Sequence, residues 1–432
     1  MYEPKMKLTD EEKDILNGKK GETYAKMMEV LVRYGDAFGA DCLKPLTYKE
    51  GHFVTSFGLS MLKPVYPLMD DLIKAGCKVE DGFTMDPRPL DYKNVKNSPL
   101  EKLVASCFMY SKQKKYEEQL KEIGLKDSDG FTCTCYLKEV GNTPKEGDII
   151  SWSESSAVVF ANSVLGARCN RNSGILDTFA TILQRTPNFG FITDEGRKAS
   201  WRVIVKTTKK PEAQILGSAI GMKVMADVPF VEGLDKYLDP LPSEDTLAYL
   251  KDFGAATASN GAVGLYHIAN ITPEAVRLGS SLVKEDAKEY IIDDAELERV
   301  YASYPMMWKS SSTKAKKCFI GCPHLTLKQL EDWTDKIVDG LAKSGKKKLV
   351  INTILTASPA VLKEFEKEDR YSKLISTGAK LSYICPLMYA DNPISGGKPL
   401  MTNSNKLRTY TKARYFKDED VLAIITGQKE AK

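Results

Sequence analysis

Cys318-Phe319-Ile320-Gly321-Cys322-Pro323-His324-Leu325-Thr326-Leu327-Lys328-Gln329 passes from an apolar run straight into a helix start. The run 318–321 predicts a strand, and Thr326 with Gln329 forms a capping box that opens a helix to about residue 344. Downstream, 348–355 predicts a second strand. Ser358-Pro359 then supplies an N-cap followed by proline at the first helical position, for a helix to about residue 367. A third strand is expected over 380–385. Strands alternating with helices and joined by right-handed crossovers lie parallel, with their carboxyl ends on one edge, and open parallel sheets bind ligands outside that edge. Cys322, Thr356, Ser358 and Cys385 all fall there, so two cysteines distant in sequence are expected at one rim.

Towards the amino end the signals are helical. Thr9-Asp10-Glu11-Glu12 is a second capping box, with Asn17-Gly18 as its stop, and 22–38 predicts a helix burying Met27, Met28, Leu31 and Val32. The segment 82–94 carries Asp86, Pro87 and Pro89 and is expected to be an ordered loop between two α/β pieces. Three regions result: an N-terminal α/β region over 1–130, a central region over 131–310, and a C-terminal βαβαβ region over 311–432.

Composition narrows the function. A chain of 432 residues, 42% hydrophobic and 28% charged, has room for several cores. A net charge of +4 makes no basic field for nucleic acid, and the lysines of 206–210 and 343–348 are expected to be solvated edges. The first thirty residues hold no apolar signal core, and no run approaches the 18 or so apolar residues of a membrane span. A cytoplasmic location is therefore expected, and the nine cysteines should be thiols or thiolates rather than a disulfide framework.

Cys322 and Cys385 are each followed by proline, which biases a residue away from helix and lets a thiolate project from a strand end. Cys133, in Phe131-Thr132-Cys133-Thr134-Cys135-Tyr136, is a third candidate. A lone buried cysteine is more commonly a small hydrophobe, but two Cys-Pro pairs on one rim favour a ligand role. Scattered cysteines without zinc-finger spacing suit an iron–sulfur cluster, and three thiolates would leave one iron open as a Lewis acid. His324 could be a ligand, an acid or a helix-start residue; the structural role is favoured.

The second constellation is the block from Ser153-Glu154-Ser155-Ser156-Ala157 through Asn162-Ser163 to Gly166-Ala167-Arg168-Cys169-Asn170-Arg171. Ser153 is expected to cap a helix. Two arginines and two asparagines near its end exceed what capping needs, and arginine's fork suits a carboxylate or phosphate. Arg168, Arg171, Asn170 and Ser155 are expected to hold an anion. His52, Thr84 and Asp86 are candidates to line the pocket, with a loop-capping role open for each.

These residues, with Gly254-Ala255-Ala256, Gly321-Cys322-Pro323-His324, Cys385-Pro386 and Thr402-Asn403-Ser404, resemble the aconitase X family over nearly the whole chain. The resemblance implies an aconitase-like large body of parallel-sheet α/β domains around a central cleft, and dehydration of a small hydroxy acid on an iron–sulfur cluster. It maps the cluster ligands to Cys133, Cys322 and Cys385, with Cys135 adjacent, and puts an unusual thiol, Cys169, after Arg168. It implies catalytic roles for His52, Ser155 and Ser156, and substrate contacts from Thr84, Glu154, Asn162, Arg168, Asn170 and Arg171. The family also uses a small swivel domain; the chain runs only 28 residues past Ser404, so a separate small subunit is expected. With one donor cluster visible, the expected reaction is dehydration of cis-3-hydroxy-L-proline to 1-pyrroline-2-carboxylate. Mevalonate 5-phosphate is the alternative substrate. A cluster-free binding or regulatory protein on the same fold is the alternative of another class.

Overall fold

The computed structural model describes residues 2–55, 58–95, 98–308, 310, 313–390 and 398–429. Its carboxyl-terminal part is built on a five-stranded parallel sheet, in the spatial order Lys380–Ser382, Asn352–Ala357, Lys317–Leu325, Leu400–Thr402 and Arg414–Tyr415. The three strands expected from sequence are present and parallel, with revised bounds. The central strand continues to Leu325, so Cys322 lies within it rather than after it. Gly321 makes this possible: its φ of +105° is open to glycine, the pairing shifts register between Leu355 and Ala357, and the Thr356 hydroxyl donates to the Ile320 and Gly321 carbonyls.

The second strand starts at Asn352 instead of 348, because the N–H groups of Leu349 and Val350 donate to Thr377 and Ile425 carbonyls at helix ends. The third stops at Ser382, and the Cys385 N–H turns to the Arg88 carbonyl at 2.8 Å. The helix after Ser358 ends at Phe365, and another, Asp369–Ser376, follows. Helix Leu327–Ser344 has its capping box and lays Leu330, Trp333, Ile337 and Leu341 on Cys318, Ile320, Leu355 and Ala357. Each such side chain contributes about 1.5–3 kcal/mol by leaving water.

A second sheet, of four parallel strands, runs in the order His267–Ile268, Pro229–Glu232, Ala199–Val205 and Val283–Ile292. Helices Ala213–Val224 and Glu244–Asn260 pack against it through Leu216, Ile220 and Phe253. They approach closely at Gly217, where a Cβ would stand 2.4 Å from the Phe253 carbonyl oxygen.

At the amino end, helices Asp10–Leu16 and Glu22–Ala37 form as expected, with the Thr9 capping box and Met27, Met28, Leu31 and Val32 buried. The segment read as a loop begins instead with a strand, Phe83–Met85, parallel to Gly51–Phe53. Parallel bridges from His52 to Trp152 and from Met85 to Phe131 widen this small sheet. Its carboxyl edge therefore presents Asp86, Cys133 and Glu154. The large sheet's carboxyl edge presents Cys322, Cys385 and, past Thr402, the short helix Asn405–Tyr410. Among the described residues, no helix is long and apolar enough to cross a membrane.

Candidate active site

The two edges meet at an ion pair. Ser404 caps the helix that follows the Thr402 strand and also donates to the Cys322 carbonyl, which fixes that helix against the cysteine strand. Lys406, the second residue of that helix, reaches across to Glu154 Oε1 at 2.5 Å, Ser156 Oγ at 2.8 Å and Ser155 Oγ at 3.4 Å. Glu154 is the true cap of helix Ser155–Phe160: its other oxygen accepts the Ala157 N–H at 2.7 Å. Ser153, expected in that role, accepts the Val54 N–H instead. Burial, the largest single influence, acts to raise Glu154 and to lower Lys406, but the partner's charge and hydrogen bond together with the neighbouring groups outweigh it in each, so the carboxylate sits below and the ammonium above its usual value.

Around this pair lie the three cysteines. Burial pushes the Cys133 thiol well above its ordinary value; Glu154 adds to the rise and Lys406 opposes it. Cys322 is raised by burial against the pull of Lys406 and the Ser404 hydroxyl, and Cys385 is pushed up to about 12 by burial and by Cys322. Cys322 thus lies near enough to both others to perturb their ionisation. Among the described residues, however, no three His, Cys, Asp or Glu side chains gather closely enough to hold a single metal ion. The thiols are neighbours, protonated in the protein by itself.

The amino-terminal wall carries two polar atoms without a partner among the described residues, Asp86 Oδ1 and His52 Nε2. Burial, reinforced by Glu154 and opposed by Lys406, raises Asp86 well above the usual carboxylate value and so favours its protonated form. Burial lowers His52 to about 4, leaving a neutral ring. Its Nδ1 lies 2.8 Å from Thr84 Oγ1, which also receives an N–H from Asn142 at 2.8 Å, and its face meets Trp152 edge-on.

The residues expected to hold an anion are bonded within the protein. Asn162 bonds the Cys169 backbone at both ends of its amide and the Gly264 carbonyl. Asn170 braces Phe189 and Phe191, and Arg168 is turned to the Ile192 carbonyl and to Asp194 at 2.5 Å. Arg171 takes a φ of +53°, and its charge is felt at Cys169 rather than at the three cysteines. The Cys169 thiol donates to the Trp152 carbonyl, and Cys135 is bonded to Thr84. The block read as one cradle thus divides: Glu154, Ser155 and Ser156 enter the cleft, and the residues from Asn162 onward shape a turn.

Lys406 was not among the expected residues. The available signal was its place just after Thr402-Asn403-Ser404, on the same carboxyl edge as both Cys-Pro pairs. Lys251, wholly buried with Asp252 at 2.8 Å, is a second cation felt at Cys322 and His324 that sequence did not disclose.

Three family models match consecutive parts of the chain: aconitase X first domain over residues 5–195, second domain over 199–302 and third domain over 316–420. The chain is 32% identical over 424 residues to the phosphomevalonate dehydratase large subunit of Thermococcus kodakarensis, covering 95% of this chain and 96% of that protein. For the protein of the same description from Methanosarcina mazei the identity is 31% over 441 residues, with 99% of each chain covered. A cis-3-hydroxy-L-proline dehydratase of Pseudomonas aeruginosa is 28% identical over 287 residues, which is 65% of this chain and 47% of that one. A crystal structure of Thermococcus kodakaraensis aconitase X in its holo-form superposes with a TM-score of 0.79 at 31% identity, over 97% of this chain and all of that chain.

Proposed function

The chain belongs to the aconitase X family, and from that premise we propose that it is the large subunit of an iron–sulfur mevalonate 5-phosphate dehydratase. It is a hydro-lyase of the aconitase superfamily acting on a small hydroxy acid, with the parallel-sheet α/β architecture of the aconitase X large subunit. The observation that favours phosphomevalonate over the hydroxyproline expected from sequence is the extent of the matches. The phosphomevalonate dehydratase large subunits of Thermococcus kodakarensis and Methanosarcina mazei align over nearly all of both chains, whereas the hydroxyproline dehydratases align over less than half of theirs. The donor cluster that pointed to the amino acid loses its weight, because Asn162, Arg168 and Asn170 are bonded within the protein. The relatives' description as large subunits supports a separate small subunit as partner.

Cys133, Cys322 and Cys385 would hold the cluster. The donor chemistry supports this: the three thiols come from two sheet edges and all feel a buried cation that favours their ionised forms, while Cys135 and Cys169 are hydrogen-bonded elsewhere. Where three thiolates each take a different iron of a cluster, they stand wider apart than the ligands of one ion. When bound, the cluster would supply an open iron as Lewis acid for the departing hydroxyl.

Dehydration breaks the C–H bond α to the carboxylate and the C–O bond β to it, forms the double bond between those carbons, and releases water. Asp86, whose protonated form burial favours, is the group placed to deliver a proton to the leaving oxygen. His52 Nε2, neutral and unpartnered, is the second atom fit to handle a proton. Lys406, anchored by Glu154, Ser155 and Ser156, is the ammonium group at the cleft that an anionic substrate group would meet.

The test is turnover. The chain, co-expressed with the small subunit from its own genome and reconstituted anaerobically with iron and sulfide, should convert mevalonate 5-phosphate to an α,β-unsaturated acid, followed by ultraviolet absorbance. Turnover of cis-3-hydroxy-L-proline alone would overturn the substrate assignment.

A further inference from the structure

His324 is wholly buried and touches the chain on either side of the cysteines without having a nitrogen to spare. Its Nε2 lies 3.1 Å from the Ile384 carbonyl oxygen, which can only accept, so Nε2 carries the ring proton. Nδ1 is then an acceptor, and it takes the hydroxyl proton of Thr132 at 3.1 Å. The Thr132 oxygen in turn accepts the Thr134 N–H at 3.0 Å. The backbone N–H of His324 donates to Cys133 Sγ at 3.3 Å.

These bonds lead from the Cys322 strand to the segments of the other two cysteines. Ile384 precedes Cys385, Thr132 precedes Cys133, and His324 itself follows Cys322 by two residues, across a proline that has no N–H to offer. One imidazole therefore ties the Cys133 segment of the amino-terminal sheet to the Cys385 turn of the carboxyl-terminal sheet, from the Cys322 strand. We propose that His324 is a positioning residue, not a ligand, that sets the mutual spacing of Cys133, Cys322 and Cys385 by a buried Thr132–His324–Ile384 hydrogen-bond chain. The proposal rests on these cysteines being the cluster ligands, and the test separates the two claims.

The experiment uses the full chain with its small subunit, comparing wild type, His324→Ala, His324→Gln and Thr132→Val. Gln keeps an N–H for the Ile384 carbonyl, and Val removes the Thr132 hydroxyl, hence the Nδ1 tie together with its local bonds to Thr134, at nearly constant volume. Two measurements are made: amide hydrogen exchange of 131–136 and 383–388 in the iron-free protein, and the rate at which the anaerobically reconstituted cluster bleaches under a chelator. Removing a hydrogen-bond partner that orients metal ligands costs roughly 10–100-fold in metal affinity. Bleaching should accordingly be roughly tenfold faster or more in His324→Ala, intermediate in His324→Gln, and faster than wild type in Thr132→Val, with both peptides exchanging faster. If His324→Ala fails to fold, Thr132→Val carries the test. Wild-type exchange and bleaching in the folded variants would overturn the positioning role. Iron retained by Cys133→Ser, Cys322→Ser and Cys385→Ser alike would overturn the cluster assignment itself.

Discussion

Replacing Lys406 by Met should expose how much the meeting of the two sheet edges depends on one ion pair. Lys406 Nζ stands 2.5 Å from Glu154 Oε1, with side chains 12% and 5% exposed, so neither charge has water to fall back on. Removing one partner of a buried pair costs about 3–5 kcal/mol, because the other charge stays behind uncompensated. Glu154→Gln is milder: the amide oxygen can still take the Ala157 N–H, and Lys406 keeps the Ser155 and Ser156 hydroxyls. The double variant leaves no orphaned charge, so its loss should fall short of the summed single losses by about 2–3 kcal/mol, within the range of coupled neighbours. The pH dependence has a definite sign. Without Lys406, the burial that raises Glu154 is opposed chiefly by His52 and the Ala157 N–H, so the Lys406→Met deficit should shrink as pH falls and the carboxylate takes up a proton. Urea unfolding of the iron-free protein, followed by the fluorescence of buried Trp152, reads these quantities. Additivity within about 0.5 kcal/mol would refute the reasoning, because groups that act independently add to that precision.

Three further outcomes are expected. Cys133→Ser, Cys322→Ser and Cys385→Ser should each lower iron per chain roughly tenfold or more, while Cys42→Ser and Cys169→Ser leave it unchanged; iron analysis after anaerobic reconstitution decides. Gly321→Ala places a Cβ 2.4 Å from the Thr356 carbonyl oxygen at a φ of +105°, so it should cost at least about 1 kcal/mol in unfolding and impair iron binding by shifting Cys322; a wild-type melting temperature and iron content would contradict this. His267, buried and lowered from 6.5 to about 4 by burial, adds stability that is full above pH 6.5 and lost as pH falls through 4. At about 1.4 kcal/mol per pH unit this amounts to about 3 kcal/mol, so His267→Gln, which keeps an N–H for the Arg197 carbonyl, should gain on wild type between pH 7 and 4, and parallel stability curves would exclude the effect.

How far the fold was legible follows from which signals are local. Thr9 and Thr326 wrote their capping boxes within four residues, and Met27, Met28, Leu31 and Val32 marked a buried face by spacing alone. Strand ends were less legible because pairing is decided by distant chain. Leu349 and Val350 are apolar enough for a strand, yet their N–H groups are claimed by Thr377 and Ile425, and the strand begins only at Asn352. The continuation of the central strand past Cys322 depends on Gly321 and the Thr356 hydroxyl together, a pairing that no window of the sequence contains. The strand Phe83–Met85 was hidden by the prolines that follow it, since three residues are too few to show an alternation.

The cleft divides along the same line. Parallel strands with helical crossovers put Cys322 and Cys385 on one rim, and that argument needed only the order of elements. Donor-rich composition was a poorer guide to the anion site, because a hydrogen-bonding group cannot declare from sequence whether its partner will be substrate or backbone. Asn162, Arg168 and Asn170 are committed to backbone carbonyls, N–H groups and Asp194, as a turn of polar residues folding on itself requires. Glu154 escaped that fate by its position. It caps a helix with one oxygen, and the other must find a partner once it is buried. The residue that answers it, Lys406, comes from the opposite sheet and some 250 positions away, and a cation is what physics would have demanded there. A buried capping carboxylate at a sheet's carboxyl edge is thus itself a reason to search the other edge for its lysine, and here that search ends beside the three cysteines.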